Sequence, residues 1–366
     1  MKSFILSLSS VTPKTHFSQK NVARTFERSL NLDKNDAKKL HQIFQNACIE
    51  TRYSVLEDYG SPSLQGEFFG DNFPNTIPDT HQRNQVYIQE APRLAIKSSQ
   101  QAINDWGQPI TSITHVISVS CTGMYAPGIE LKLIESLGLK SNVERFGINF
   151  MGCFGAFKGL ALADALAKEN PKNRILVVCT ELCSLHFQAD KNIETFVINA
   201  LFADGSACAI VGCDPQKNET CLFQIEKRGS EALADTQQDM TWELGNNGMK
   251  MRLSSKVPQL FANTIYNFTK EFLCPISSEE CEWAIHPGGK SILKEIERIC
   301  ALKPNQTEES WKVLENFGNM SSATFLFILD RIRLKKEQFP YVIGLGFGPG
   351  LSVEGILLQS MNNKKE

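Results

Sequence analysis

A single cysteine between glycines, Cys153 in "NFMGCFGAFKGLALADAL", stands where a helical pattern begins. At a helix N-terminus a thiol feels the positive end of the aligned peptide dipoles and the unpaired N–H groups, which favour thiolate over thiol. Gly152 and Gly155 permit tight backbone geometry and close approach of a substrate, and Ala156 adds no bulk. The same features suit a tight helix–sheet contact, so the motif alone supports a nucleophile and a packing seat equally. His286 in "AIHPGG" ends an apolar strand pattern and is held by a proline and two glycines, where side chains point into a cleft; a lone histidine there can equally be a satisfied core residue. Asn319 in "FGNMSSAT" precedes "SSATFLFIL" as a helix cap would. Together the three residue types allow more. A cysteine paired with histidine can carry an acyl thioester, and histidine with asparagine can donate hydrogen bonds to a developing enolate or oxyanion. A protease needs the first ability and an acid for the amine; an enzyme forming carbon–carbon bonds needs both.

The elements that must bring these residues together are legible as alternating helical and strand-like patterns, which argue for a layered α/β architecture. "MKSFILSLSSV" reads as the first strand, and "ITHVISVSCTG" and "NRILVVCTEL" as buried strands. Asp79 and Thr80 are cap candidates for a long helix stopped by Gly107. A weak internal echo organises the whole. "HVISVSCTG" resembles "EWAIHPGG", placing Thr122 against His286, and "NFMGCFGAFKGLALADAL" resembles "ENFGNMSSATFLFILDRI", placing Cys153 against Asn319. The separations agree, 31 residues from Thr122 to Cys153 and 33 from His286 to Asn319. Each copy then runs through a helix into an apolar strand, "RILVVCTE" or "YVIGLGFGPG". Two similar halves are expected, residues 1–220 with the cysteine and 221–366 with the histidine and asparagine, packed face to face so that the matching turns meet.

Composition narrows the field. The chain has 366 residues, 42% hydrophobic and 21% charged, enough for a large core. Its formal net charge of -2, without long runs of one sign, offers no field for nucleic acid or an anionic membrane. No apolar run approaches the roughly 20 residues of a membrane span, and the first residues lack a signal-peptide pattern. The 11 cysteines are an odd number with no C-x-x-C pair and no zinc spacing, which points to reduced thiols in a cytoplasmic protein. Cys179, Cys208 and Cys213 read as small buried hydrophobes.

At these motifs the sequence resembles the type III polyketide synthases, the chalcone and stilbene synthase family, over nearly the whole chain. "GCFGA" resembles the nucleophile motif, "HPGG" the histidine motif, "GNMSSA" the asparagine motif and "GFGPGLSVE" the C-terminal glycine-rich loop. The resemblance implies a homodimer of thiolase-fold subunits, five layers of alternating helices and sheets built from two similar halves. It implies that a starter acyl-CoA loads onto Cys153, that malonyl-CoA is decarboxylated at His286 and Asn319, and that the enolate attacks the bound acyl group, with several extensions and ring closure in one cavity. No permanently bound cofactor or metal is implied; acyl-CoA and malonyl-CoA are substrates. Phe202 in "ALFADG" matches the phenylalanine between the coenzyme A tunnel and the cavity, and Thr122, Glu181, Ser321 and Phe347 fall at cavity positions.

The departures bear on the product. Met251 stands where plant members carry a second gatekeeping phenylalanine, and Trp242 where they carry a cavity glycine, a tryptophan there resembling bacterial members. Cys183 and His186 occupy cavity positions that are often threonine, and Ala126 replaces the methionine that crosses the plant dimer. An aliphatic starter and a pyrone or resorcinol product are expected rather than a chalcone. For coenzyme A, Lys39 is the expected phosphate contact, since Gln42 and Asn46 stand where other members carry Arg and Lys; Gly288 and Ser291 are expected at the pantetheine arm. The "GLGFGPG" glycines are not a dinucleotide loop, because a strand pattern rather than a helix follows. Three rivals stay open on residue types. A fatty-acid ketoacyl synthase shares the trio but usually continues its histidine as H-Q-A-N. A papain-like protease orders Cys, His and Asn alike but needs a C-G-S-C motif absent here. A non-catalytic acyl-CoA-binding protein could keep the same fold.

Overall fold

The structure, a computed structural model, describes residues 1–61 and 66–361. Among these, nine strands form one mixed sheet in the order Cys281–Ile285, Tyr341–Gly348, Ser352–Ser360, Phe223–Ala232, Ser3–Val11, Asp204–Cys213, Arg174–Leu182, His115–Ser120 and Glu144–Asn149. Read outward from the centre, each side repeats one succession. Ser3–Val11 runs antiparallel to Asp204–Cys213, that strand antiparallel to Arg174–Leu182, and the next pair is parallel. Phe223–Ala232 runs antiparallel to Ser352–Ser360, that strand antiparallel to Tyr341–Gly348, and the next pair is again parallel. The two sides join where Ser3–Ile5 pairs with Phe223–Ile225.

Strand alternation builds two separate cores. Along Arg174–Leu182, Ile175, Val177 and Cys179 enter an inner core while Leu176 and Val178 enter an outer one. Successive side chains of a strand face opposite sides, so a strand apolar at every position must be covered on both faces. The covering inside is a pair of helices, Gly155–Glu169 and Ala323–Ile332, whose Phe157 and Phe325 rings stack with centroids 4.2 Å apart. The outside is covered by helices such as Thr80–Trp106 against the first side and Val257–Leu273 against the second. The result is a thiolase-like layered α/β fold. Cys179, Cys208 and Cys213 are fully buried among apolar neighbours.

The long helix begins as its sequence dictates. The Asp79 side chain accepts the Gln82 N–H while the Gln82 side chain accepts the Asp79 N–H, and Gly107 closes the C-terminus in the left-handed conformation at φ 70°. The inner helices depend instead on missing side chains. A Cβ at Gly344 would lie 2.6 Å from the Phe325 ring, and one at Gly346 would overlap Phe157. These glycines of "GLGFGPG" therefore let the second side of the sheet close onto both middle helices. Gly346→Ala should cost roughly 1–3 kcal/mol by overpacking, read as a lower midpoint in thermal or urea unfolding, whereas Gly70→Ala, with open space at its Cβ position, should be milder despite its φ of 73°.

Candidate active site

Cys153 lies in a tight turn, Gly152–Phe154, that leads directly into the middle helix Gly155–Glu169. Gly152 holds φ 74°, and a Cβ there would reach within 2.5 Å of Pro349, so the turn closes against the C-terminal glycine loop only because the residue is glycine. His286 follows the strand Cys281–Ile285 directly, and its N–H donates to the Leu345 carbonyl at 2.8 Å. Asn319 precedes the other middle helix. Its side-chain Oδ1 accepts the Ser321 N–H at 2.8 Å, which leaves the amide Nδ2 for the cavity, 3.9 Å from Cys153 Sγ. The N-cap position of that helix is Ser322, whose side chain makes no capping bond, so the Asn319 side chain serves the turn and the site rather than the cap.

The three side chains line one cavity of about 750 Å³, walled also by the helices Lys34–Asn46 and Ile193–Leu201 and by the hairpin strand Gly248–Leu253. His286 is wholly buried, and neither ring nitrogen has a hydrogen-bond partner among the described residues. A buried imidazole without protein partners is the polar atom set a substrate would satisfy. Burial pushes its pKa down to about 3, so it stands neutral, with one N–H to donate. Burial pushes the Cys153 thiol up to about 12; hydrogen bonds from Ser321 and Asn319 pull the other way, and the Glu181 charge adds to the rise. The helix terminus therefore does not by itself make a standing thiolate here. Burial thus disfavours the charged form of both groups in the empty cavity.

Two smaller spaces, about 60 and 30 Å³, lie beyond, and Phe202 and Met251 line both of these as well as the large cavity. The two side chains stand at the passage between outer and inner space. Trp242 lines both inner spaces; its indole N–H donates to the Cys121 carbonyl at 2.8 Å, and its ring meets His186 edge to face. His186 is held at both nitrogens, against the Thr122 carbonyl at 2.8 Å and the Met249 N–H at 3.1 Å, so it is wall rather than acid or base. Cys183 lines both inner spaces, and Thr122 and Ser321 the smaller. Gly288, Ser291 and Phe347 line the large cavity.

One expectation is corrected. Glu181 does not reach the cavity: it is fully buried beneath the wall, where its carboxylate accepts the Cys121 N–H at 2.9 Å, the Thr122 hydroxyl at 2.8 Å and the Ser322 hydroxyl. Lys39 is exposed and paired with Asp36 at 2.9 Å, on the same helix face as Ile43 and Asn46, which line the cavity.

Family models for the N-terminal and C-terminal domains of chalcone and stilbene synthases match residues 1–215 and 224–362. The chain belongs to the chalcone and stilbene synthase family. It is 30% identical to type III polyketide synthase C of Arabidopsis thaliana over 98% of this chain and 96% of that one. It is 36% identical to probable polyketide synthase 1 of Dictyostelium discoideum over 98% of this chain, and spans only 11% of the length of that relative. Among solved structures, the C-terminal type III polyketide synthase domain of Steely1, a type I/III hybrid from Dictyostelium, superposes with a TM-score of 0.92 at 35% identity, covering 98% of this chain and 99% of that one.

Within this family site, the cations at the cavity are ones sequence reasoning missed, Arg252 and Lys290. Each directly follows a residue the motifs did mark, Met251 or the second glycine of "HPGG", which is the signal that could have found them. Among the described residues, no helix is long and apolar enough to cross a membrane, and no cluster of three or more His, Cys, Asp or Glu could hold a metal ion.

The electrostatics set two outcomes. Well above pH 6.5 His286 is neutral in either state; as the pH falls through about 6.5 the unfolded chain takes up a proton the buried ring refuses until about 3. Stability is thus fully present well above 6.5 and is lost as the pH falls towards 3. In His286→Gln the loss between about pH 6 and 4 should be shallower by up to about 1.4 kcal/mol per pH unit, measured by urea unfolding at each pH. If His286 accepts the Cys153 proton, alkylation of Cys153 by iodoacetamide in the same variant should need a distinctly higher pH than in the parent. An unchanged profile would show that His286 does not serve the thiol.

Proposed function

We propose that this chain is a decarboxylating condensing enzyme that loads an acyl group from acyl-CoA onto Cys153 and extends it with malonyl-CoA. The observation that carries the reading is the meeting of thiol, unpartnered imidazole and free carboxamide N–H in one cavity. In loading, the Cys153 proton passes to His286 as sulfur attacks the thioester carbonyl, and coenzyme A leaves as a thiol on taking the proton back. Malonyl-CoA then loses carbon dioxide, and the electron pair left behind forms an enolate whose oxygen receives N–H bonds from His286 and Asn319. One such preorganised donor is worth about 2.7–4 kcal/mol. The enolate carbon attacks the acyl thioester, forming a carbon–carbon bond and expelling Cys153 as a thiolate, which returns to the thiol by taking one proton from water, the proton that balances loss of carbon dioxide from the malonyl carboxylate. Neutrality of the imidazole suits this role, since it can donate to the enolate without carrying a charge into a dry site.

Arg252 and Lys290 supply the positive charge that would meet the coenzyme A phosphates, and Gly288 and Ser291 lie where the pantetheine arm would pass. The small inner spaces favour an aliphatic starter and a pyrone or resorcinol product, because Trp242 closes the depth that a larger aromatic product would need. A homodimer in the cytoplasm is the assembly we favour: Met124, Phe150 and Met151 are exposed apolar side chains beside the sheet-edge strand Glu144–Asn149, a face suited to cover by a second copy, and the 11 cysteines carry free thiols.

Radiolabelled acyl-CoA should label the parent protein and leave Cys153→Ala unlabelled; equal labelling of both would remove Cys153 as the nucleophile. Mass spectrometry of products from malonyl-CoA and a panel of starters tests the rest. Trp242→Gly should shift products to longer chains by joining the inner spaces, and a parent enzyme accepting aromatic starters alone would defeat the aliphatic assignment.

A further inference from the structure

We propose that Arg52 is a positioning residue for the condensation step, a buried cation that fixes both the Phe202 passage and the Asn319 carboxamide. Arg52 sits on the short strand Thr51–Tyr53 and is 1% exposed. It has no carboxylate within ion-pair distance among the described residues. Its Nη1 instead donates to the Asn199 carbonyl at 2.5 Å, the Phe202 carbonyl at 3.0 Å and the Tyr59 hydroxyl at 3.4 Å. Asn199 and Phe202 end the helix Ile193–Leu201, where carbonyls lose their intrahelical partners and the dipole is negative. A guanidinium there serves several carbonyls at once. Its carbon also lies 5.5 Å from the ring centroids of Phe44, on the helix that walls the cavity mouth, and of Tyr59, which lines an inner space.

The next link is backbone. The peptide whose carbonyl Arg52 holds joins Phe202 to Ala203, and the Ala203 N–H donates to the Asn319 carbonyl at 2.9 Å while the Asn319 N–H donates to the Leu201 carbonyl at 2.9 Å. Gly318, at φ 74°, lets this bridge close: a Cβ there would be 3.0 Å from the Leu201 carbonyl and 3.4 Å from Arg52 Cγ. One buried cation thus anchors a peptide that carries the Phe202 ring on one side and is bonded on the other to the backbone of Asn319, whose carboxamide faces Cys153. Burying a cation without a carboxylate is costly, and an apolar side chain would fill the volume more cheaply while leaving two carbonyls free to shift. The step Arg52 positions rests on the polyketide reading; the clamp itself does not.

The test uses the full chain with Arg52→Met, which keeps volume, and Arg52→Lys, which keeps one donor. In Arg52→Met, hydrogen exchange of the Ala203 and Asn319 amides should quicken at least tenfold while amides of Arg174–Leu182 stay protected. Acyl loading onto Cys153 should stay within threefold, malonyl-CoA decarboxylation and kcat for condensation should fall at least tenfold with KM nearly unchanged, and Arg52→Lys should recover part of that loss. Unchanged exchange at Ala203 and Asn319 overturns the clamp whatever the activity. Loading and condensation falling together with the folded fraction also overturn it, leaving Arg52 a structural residue. If the parent protein neither loads nor condenses, the enzymatic reading fails, and the exchange data still judge the clamp.

Discussion

Three segments that would otherwise be free to drift converge on one buried carboxylate. Glu181, at the end of a fully buried strand, accepts from the turn after His115–Ser120 through the Cys121 N–H and the Thr122 hydroxyl, and from the entry to the second middle helix through the Ser322 hydroxyl. The first two partners belong to the cysteine-bearing side and the third to the asparagine-bearing side. Burial disfavours its charge and these donors restore it. The Cys121 and Thr122 donors share Oε2, whereas Ser322 serves Oε1, so losing the Ser322 hydroxyl removes a side-chain donor that the other oxygen's partners do not replace. The carboxylate therefore fixes how the two sides dock, and with that the 3.9 Å between Cys153 Sγ and the Asn319 amide.

The rigidity spreads outward through polar groups that are satisfied among themselves. Thr122 gives its hydroxyl to Glu181, takes the Leu182 N–H at 2.9 Å, and offers its carbonyl to His186. His186 in turn receives the Met249 N–H, which sets the hairpin carrying Trp242 and Met251. The inner wall is thus a chain of bonds leading back to the carboxylate. His286 is the exception at the cavity, and an unsatisfied buried donor or acceptor in such a setting marks where a ligand completes the network; the Asn319 Nδ2 has only the long contact to Cys153 Sγ at 3.9 Å.

Much of this was legible in the sequence where a residue's chemistry and its local pattern agree. The Asp79 and Gly107 caps, the buried strands and the glycine loop that feeds a strand follow from short-range rules. So does the echo, because the close separations between matching motifs, 31 and 33 residues, accompany the same strand succession on each side of the sheet. What the residues alone left open was direction. Glu181 reads as a cavity acid by position, yet a strand places alternate side chains on opposite faces, and only the packed layers show that its face is the one beneath the wall. Lys39 shares a helix face with Ile43 and Asn46, which line the cavity, and its ammonium is paired with Asp36 three residues earlier, a side-chain contact that helix periodicity allows but does not dictate. The thiolate argument fails on magnitude, since a helix terminus contributes about 0.3–1 kcal/mol at an exposed site, whereas burial moves this thiol by several times that.

That failure alters how the site must work. Burial disfavours the charged form of both the thiol and the imidazole, so the empty cavity holds them as a neutral pair. A transferred proton creates two opposite charges in a low-dielectric space, where their attraction is far stronger than in water. The same dryness strengthens the N–H bonds that His286 and Asn319 can give to an enolate oxygen. A low dielectric is thus the common cause of both effects, and Phe202 and Met251 stand where the large cavity meets the two inner spaces. A passage held by a helix end and a backbone bridge keeps its width fixed while acyl chains of differing length move past it.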